Sequence, residues 1–141
     1  MNELLPAPRL RYFMGIGDPV SMMEVVRRGV DIFDCVLPTR VARNGGLLTW
    51  QGRMNLRNAR YAADPLPVEP GCDCYACQHF SRAYIRHLIA AKEMLSSTLL
   101  SIHNLHTLIQ IAHELRQAIF EESIESYAAE FFHNLKVKSD Q

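Results

Sequence analysis

Three cysteines fall close together in the run Cys72-Asp73-Cys74-Tyr75-Ala76-Cys77, a CxCxxC arrangement. Thiolates at such short spacing can wrap one zinc ion, which takes four ligands in a tetrahedron. The cysteines leave one place to fill. His103 stands 26 positions beyond Cys77, near the start of a long helical stretch, and can supply a nitrogen. On spacing alone His87, His106, His113 and His133 are candidates too, and His79 as well, although it is too near Cys77 to close easily. A Cys3His set has no vacant position, so its zinc would be structural rather than catalytic. Cys35 lies far away in an apolar run and reads as a buried small residue.

A second group of chemically capable residues sits in Val30-Asp31-Ile32-Phe33-Asp34-Cys35-Val36-Leu37-Pro38-Thr39-Arg40. Side chains alternate along a strand, so Asp31 and Asp34 face opposite ways. Asp34 is near the carboxyl end of the run, where barrel enzymes collect catalytic groups. Position alone fits a cap or an ion-pair partner equally well. Arginines at 40, 43, 53, 57 and 60 follow, with no acidic residue among them. Such a strip suits phosphate contacts or a solvated loop.

The elements around these residues follow from pattern. Tyr12-Phe13-Met14-Gly15-Ile16-Gly17 is apolar, short and bounded by turn residues, which predicts a buried strand ending in a glycine turn. Asp18 and Pro19 open a helix as cap and first-turn residue. Its run from Val20 to Arg28 puts Met22, Val25 and Val26 on one side, and Gly29 stops it. Val30 to Val36 predicts a second buried strand. Strand, helix and strand with tight connections make a βαβ unit, the building block of parallel sheets and (β/α)8 barrels.

The pattern changes after Pro38. Leu47 to Trp50 and Arg53 to Arg57, around Gln51-Gly52, predict a β-hairpin. Pro65, Pro67 and Pro70 make Ala63 to Gly71 an extended connection. From Gln78 the chain reads as helical over 78–93, 97–119 and 122–135, with Ile102, Leu105, Ile109, Ala112 and Leu115 as a core-facing stripe. Lys136 to Gln141 reads as a polar, frayed tail. One βαβ unit cannot close a barrel or cover both faces of a sheet. The chain therefore calls for a docking partner or for more of its own polypeptide.

Composition sets the class. The 141 residues suffice for a domain with a core, and 48% hydrophobic with 21% charged is a globular balance. Lys plus Arg number 15 and Asp plus Glu 15, so bulk charge alone would not hold nucleic acid. No apolar run approaches the roughly 18 residues that cross a bilayer. The opening Met1-Asn2-Glu3-Leu4-Leu5-Pro6 lacks the pattern of a signal peptide, so a cytoplasmic location is expected. Clustered cysteines in a reducing compartment favour a metal site over disulfides.

Several separated segments together resemble the tRNA-guanine transglycosylases, bacterial enzymes among them. They are Phe33 to Arg40 with Ala42-Arg43-Asn44-Gly45, Arg11 to Gly17, Arg57-Asn58-Ala59-Arg60-Tyr61, the CxCxxC, Ser81-Arg82-Ala83-Tyr84 and Ile102-His103-Asn104-Leu105. The likeness runs from residue 6 to residue 135 in family order. It implies the carboxy-terminal part of a (β/α)8 barrel. Residues 1–40 would be the final strands with the nucleophile. Residues 41–103 would be the hairpin and a zinc-binding subdomain, and residues 104–141 the closing helices. The implied reaction exchanges wobble guanine in tRNA for a 7-deazaguanine, 7-aminomethyl-7-deazaguanine in bacteria, on the way to queuosine. Asp34 would attack the ribose anomeric carbon to form a glycosyl-aspartate, which the incoming base then displaces with overall retention. Met14 and Gly15 would line the base pocket, and Arg40 and Arg43 would meet the tRNA anticodon loop. His103 would complete the zinc site with Cys72, Cys74 and Cys77. The family's general acid/base aspartate has no counterpart here, and Asp31 faces the wrong way to replace it. The implied partners are an amino-terminal barrel half and a second copy in a homodimer, with no membrane. Besides an active fragment, a non-catalytic zinc-bearing remnant that binds tRNA or a partner subunit and an unrelated zinc-knuckle module are the other readings.

Overall fold

A computed structural model describes residues 5, 6, 8–50 and 52–139. The chain begins with β1 (Tyr12–Met14), α1 (Pro19–Arg27) and β2 (Ile32–Asp34). Asp18 caps α1 by accepting from Ser21 N at 3.1 Å, with Pro19 in the first turn as expected. Gly29, at φ +83°, turns the chain just past the helix. β1 and β2 pair in parallel, with Tyr12 opposite Ile32, Phe13 opposite Phe33 and Met14 opposite Asp34. The βαβ unit is therefore present, with strands shorter than their apolar runs.

The expected burial of these strands fails. Tyr12, Met14, Ile32 and Asp34 alternate onto one face, and all four are exposed, Met14 by 73%. Phe33, on the other face, packs with Ile16 against the core. A strand is buried only when something covers both of its faces, and among the described residues this sheet has two strands and nothing on its open side.

α2 (Leu37–Arg43) follows β2 directly, where sequence reading saw only a change of pattern. Pro38 sits in its first turn, where the missing N–H costs nothing. Next come the antiparallel β3 (Gly46–Thr49) and β4 (Gly52–Asn55), the expected hairpin with each strand starting a residue earlier; Gln51 lies outside the described residues. Adjacent residues of β3 serve two cores. Leu47 packs with Ala42, Leu56, Val68, Ile85 and Leu99, while Leu48 packs with Met22, Met23, Ile111 and Leu115.

The helix expected over 78–93 is broken. α3 (Tyr75–His79) ends at extended Phe80, and α4 (Arg82–Ala90) begins under a Ser81 cap that accepts from Tyr84 N at 3.2 Å. The break lets Arg82 N reach Leu66 O at 2.8 Å and Ala83 N reach Asp64 O at 2.9 Å, which ties the proline-rich connection to α4. α5 (Met94–Phe120) spans both cores, and α6 (Ile124–Ser139) folds back along it. Arg27 of α1 pairs with Glu125 of α6. The expected stripe on α5 holds in part, since Ala112 and Leu115 pack into the core. Leu105 and Ile109 are exposed and Ile102 is half-buried, whereas Leu99, Leu100, His103, Asn104, Thr107, Leu108, Ile111 and Leu115 face inward. The backbone of the expected frayed tail is helical to Ser139; Asp140 and Gln141 lie outside the described residues.

Candidate metal centre and nucleophile strand

The cysteine loop leads into α3, and Cys74 caps that helix by accepting from Cys77 N at 3.4 Å. α5 brings His103, fully buried, against the loop. Its Nδ1 stands 3.7 Å from Cys72 Sγ, 3.7 Å from Cys74 Sγ and 3.4 Å from Cys77 Sγ. All four ligand atoms lie within 4.8 Å of one another. The opposite ring nitrogen, Nε2, is 3.1 Å from Leu48 O. A carbonyl accepts only, so Nε2 carries the proton and Nδ1 turns its lone pair to the sulfurs.

The electrostatics of the three thiols suit a bound cation. Hydrogen bonding from Cys77 holds the Cys74 thiol far below its usual range. The same contact pushes Cys77 up, and burial raises Cys72. Three crowded sulfurs cannot ionise together unless a positive charge joins them. The donor set and its spacing fit one structural metal ion. Beside it, Glu69 is buried, accepts from Trp50 N at 2.9 Å through Oε1, and is pushed up by that burial.

Asp34 ends β2 on the open face, in register with Met14. The Tyr12 hydroxyl donates to Asp34 Oδ1 at 2.5 Å, and that bond raises the Tyr12 phenol above its ordinary range. Sequence reading assigned Tyr12 no role; its signal was the two-residue offset from Met14 on the same strand face. Asp31 is otherwise engaged, accepting from Arg11 N at 2.8 Å. Gly15 turns at φ +82°, with no atom within 4 Å of where a side chain would begin. Gly17 is the tighter case: a β-carbon there would stand 2.2 Å from Cys35 Cβ. Cys35 is half-buried, rather than buried, under that close approach, and its Sγ accepts from Leu37 N at 3.2 Å.

Arg40 and Arg43 are exposed on α2, just beyond Asp34. Arg40 lines a groove of about 400 Å³ with Asn44, Arg53 and Asn55. The metal centre and the Asp34 segment meet through Asn104, which sequence reading quoted in a motif without giving it a function. Its Oδ1 accepts from Leu48 N at 2.8 Å, and its Nδ2 donates to Pro38 O at 2.9 Å and Gly46 O at 3.3 Å. One residue past His103, it fixes both the hairpin and the start of α2. Among the described residues no helix is long and apolar enough to cross a membrane.

Comparison with known proteins adds the final observation. A family model described as queuine tRNA-ribosyltransferase matches residues 1–137. A queuine tRNA-ribosyltransferase of Moorella thermoacetica is 54% identical over 132 residues, which is 94% of this chain and 35% of that protein. The corresponding protein of Lysinibacillus sphaericus is 50% identical over 93% of the chain and 34% of its own length. That of Staphylococcus aureus is 49% identical, with 93% of the chain and 35% of the relative covered. The chain thus spans about a third of the length of these relatives.

Proposed function

Because the chain belongs to the queuine tRNA-ribosyltransferase family and matches the carboxy-terminal portion of its relatives, we propose that it supplies the nucleophile and the metal centre of a tRNA-guanine transglycosylase. The reaction is exchange of wobble guanine in tRNA for a 7-deazaguanine, 7-aminomethyl-7-deazaguanine, in queuosine formation. One observation carries the reading: the Asp34 carboxylate stands at the carboxyl end of a parallel strand, on an open face beside Met14, with the Tyr12 hydroxyl bonded to it.

Asp34 attacks the ribose anomeric carbon as guanine leaves, and the new base attacks the resulting glycosyl-aspartate from the freed face. Two displacements retain configuration and divide one hard step into two. Tyr12 orients the carboxylate. Met14 offers a polarizable face to a purine-like ring, and Gly15 leaves room for the base. Arg40 and Arg43 hold the anticodon loop through forked guanidinium groups. Cys72, Cys74, Cys77 and His103 hold one structural zinc, which clamps the loop to α5.

Residues 1–40 are the last strands of the barrel, 41–103 the hairpin and zinc subdomain, and 104–141 the closing helices. The amino-terminal barrel half brings the general acid and base, and the assembly is a cytoplasmic homodimer. The second reading, a non-catalytic zinc-binding remnant that holds tRNA or a partner subunit, rests on Asp31 being held by Arg11 N–H. This chain then contributes a single carboxylate to the open face.

The test is exchange of labelled guanine into cognate tRNA, by the chain alone and with an amino-terminal barrel half added, with Asp34→Asn as control. Exchange in the mixture that vanishes with Asp34→Asn supports the catalytic reading. A zinc-loaded assembly that binds tRNA without exchange favours the remnant.

A further inference from the structure

We propose that this chain carries a second, weaker divalent-metal site beside the Cys3His centre, made by His106 and Asp73 with the Cys72 thiolate at its edge. It rests on reading that first centre as a metal site. His106 follows His103 by three residues on α5, so both rings lean toward the cysteine loop. Its Nε2 stands 2.8 Å from Asp73 Oδ1, and one donor atom from each of Cys72, Asp73 and His106 lies within 4.8 Å of the others. Cys72 is the one cysteine of the CxCxxC that is not buried.

These residues border a cavity of about 360 Å³ whose lining includes Glu69, Thr107 and Glu114 and no lysine or arginine. A divalent ion held by three thiolates and a neutral imidazole keeps a net negative charge, and the carboxylates of Asp73 and Glu114 add to it. The cavity is therefore built for a cation.

A second observation points the same way. Glu69 and Thr107 are only 6% and 1% exposed. Among the described residues, Glu69 Oε2 and Thr107 Oγ1 are the buried side-chain oxygens or nitrogens that lack a hydrogen-bond partner. Glu69 Oε2 is 3.8 Å from His103 Nε2, beyond hydrogen-bond reach, and that nitrogen is already taken by Leu48 O. Buried oxygens left unpaired are costly, and they call for water or an ion. An ion that keeps part of its hydration shell satisfies both, because its waters donate to these oxygens. At about 30 Å³ per water, the cavity holds such an ion with several waters. An Asp–His ion pair alone would explain the 2.8 Å contact but not the unpaired oxygens in the same cavity. Imidazole, carboxylate and thiolate donors together suit zinc or cobalt rather than magnesium.

Titrating the full chain with Co2+ or Zn2+, with bound metal counted after equilibrium dialysis, tests the site. We expect one tight equivalent and one weaker one. His106→Gln and Asp73→Asn should each remove the weaker equivalent and keep the tight one. Asp73 is largely exposed, so Asp73→Asn leaves the fold untouched even if His106→Gln does not. His113→Gln, at an exposed histidine further along α5, should leave both equivalents in place. A single equivalent in the unaltered chain overturns the proposal, as does a second equivalent that survives both substitutions. Complete failure to bind metal would instead overturn the Cys3His reading on which this one stands.

Discussion

Asn104 has no exposed surface and satisfies three backbone groups from two other elements, Leu48 N, Pro38 O and Gly46 O. Replacing it with alanine strands those groups in the interior, at about 1–3 kcal/mol for an unsatisfied group. Asn104→Ala should therefore lower stability by at least about 2 kcal/mol, read from denaturant unfolding of the metal-loaded chain. An unchanged midpoint would show that water replaces the amide without loss. Tyr12 acts on a smaller scale. Tyr12→Phe removes one hydrogen bond from the Asp34 carboxylate and should slow guanine exchange in the reconstituted enzyme about tenfold, with the fold unchanged. The cysteines were legible because their chemistry is written in local spacing. Tyr12 and Asn104 were not, because their partners stand 22 and up to 66 residues away and nothing in a tyrosine or asparagine names its partner.

The cysteine loop and α3 are the elements that the proposed ion would hold most directly. α3 is five residues long, too short to persist alone, and its cap, Cys74, is one of the proposed metal ligands. A chelator should release amide protection across the loop and α3 while the buried face of α5 stays protected, as hydrogen exchange would show; uniform loss would mean that the whole chain folds only with metal. The connection before it is pinned differently. The Leu66 N–H at 3.0 Å and the Arg82 guanidinium at 3.1 Å hold the Asp64 carboxyl below the ordinary carboxylate range. A depressed folded value means that the pair stabilises at neutral pH and that this contribution is lost as pH falls through that value. The stability difference between unaltered chain and Asp64→Asn, roughly 1–2 kcal/mol near neutrality, should close in strong acid. A difference independent of pH would point to packing instead. α5 shows why its inward face escaped sequence reading. It is apolar on both sides, and the buried side includes His103, Asn104 and Thr107, which periodicity counts as polar. The break at Phe80 was hidden for a related reason: its cause is a strand-like contact with Leu66 and Asp64, not a glycine or proline.

At the scale of the molecule, the sheet of β1 and β2 is open on one face among the described residues. Tyr12, Met14 and Ile32 present apolar surface on the face that carries Asp34, whereas on the opposite face Phe33 packs against the core and Phe13 stays 41% exposed. The βαβ unit was readable from apolar runs and glycine punctuation. Exposure of its strands was not, because burial depends on what packs against a strand, and a strand's own residues do not name those neighbours. Met14, 73% exposed, should be oxidised readily by dilute peroxide in the isolated chain and protected once an amino-terminal barrel half is added, with mass spectrometry of the peptide as readout. Equal oxidation in both states would mean that the open face is not where the halves meet.

The long reach of Asn104 and His103 also sets an order of events during folding. Their bonds to the hairpin and to Pro38 close loops of 55 to 66 residues, and the entropy of such closures is spent before any contact rewards it. Local helices such as α5 and α6 can form early, whereas the segment that follows Asp34 is locked only when the ring of His103 and the amide of Asn104 dock together. The kinetic signature would be a slow final phase whose rate depends on the metal, arriving after most of the helix content is already in place.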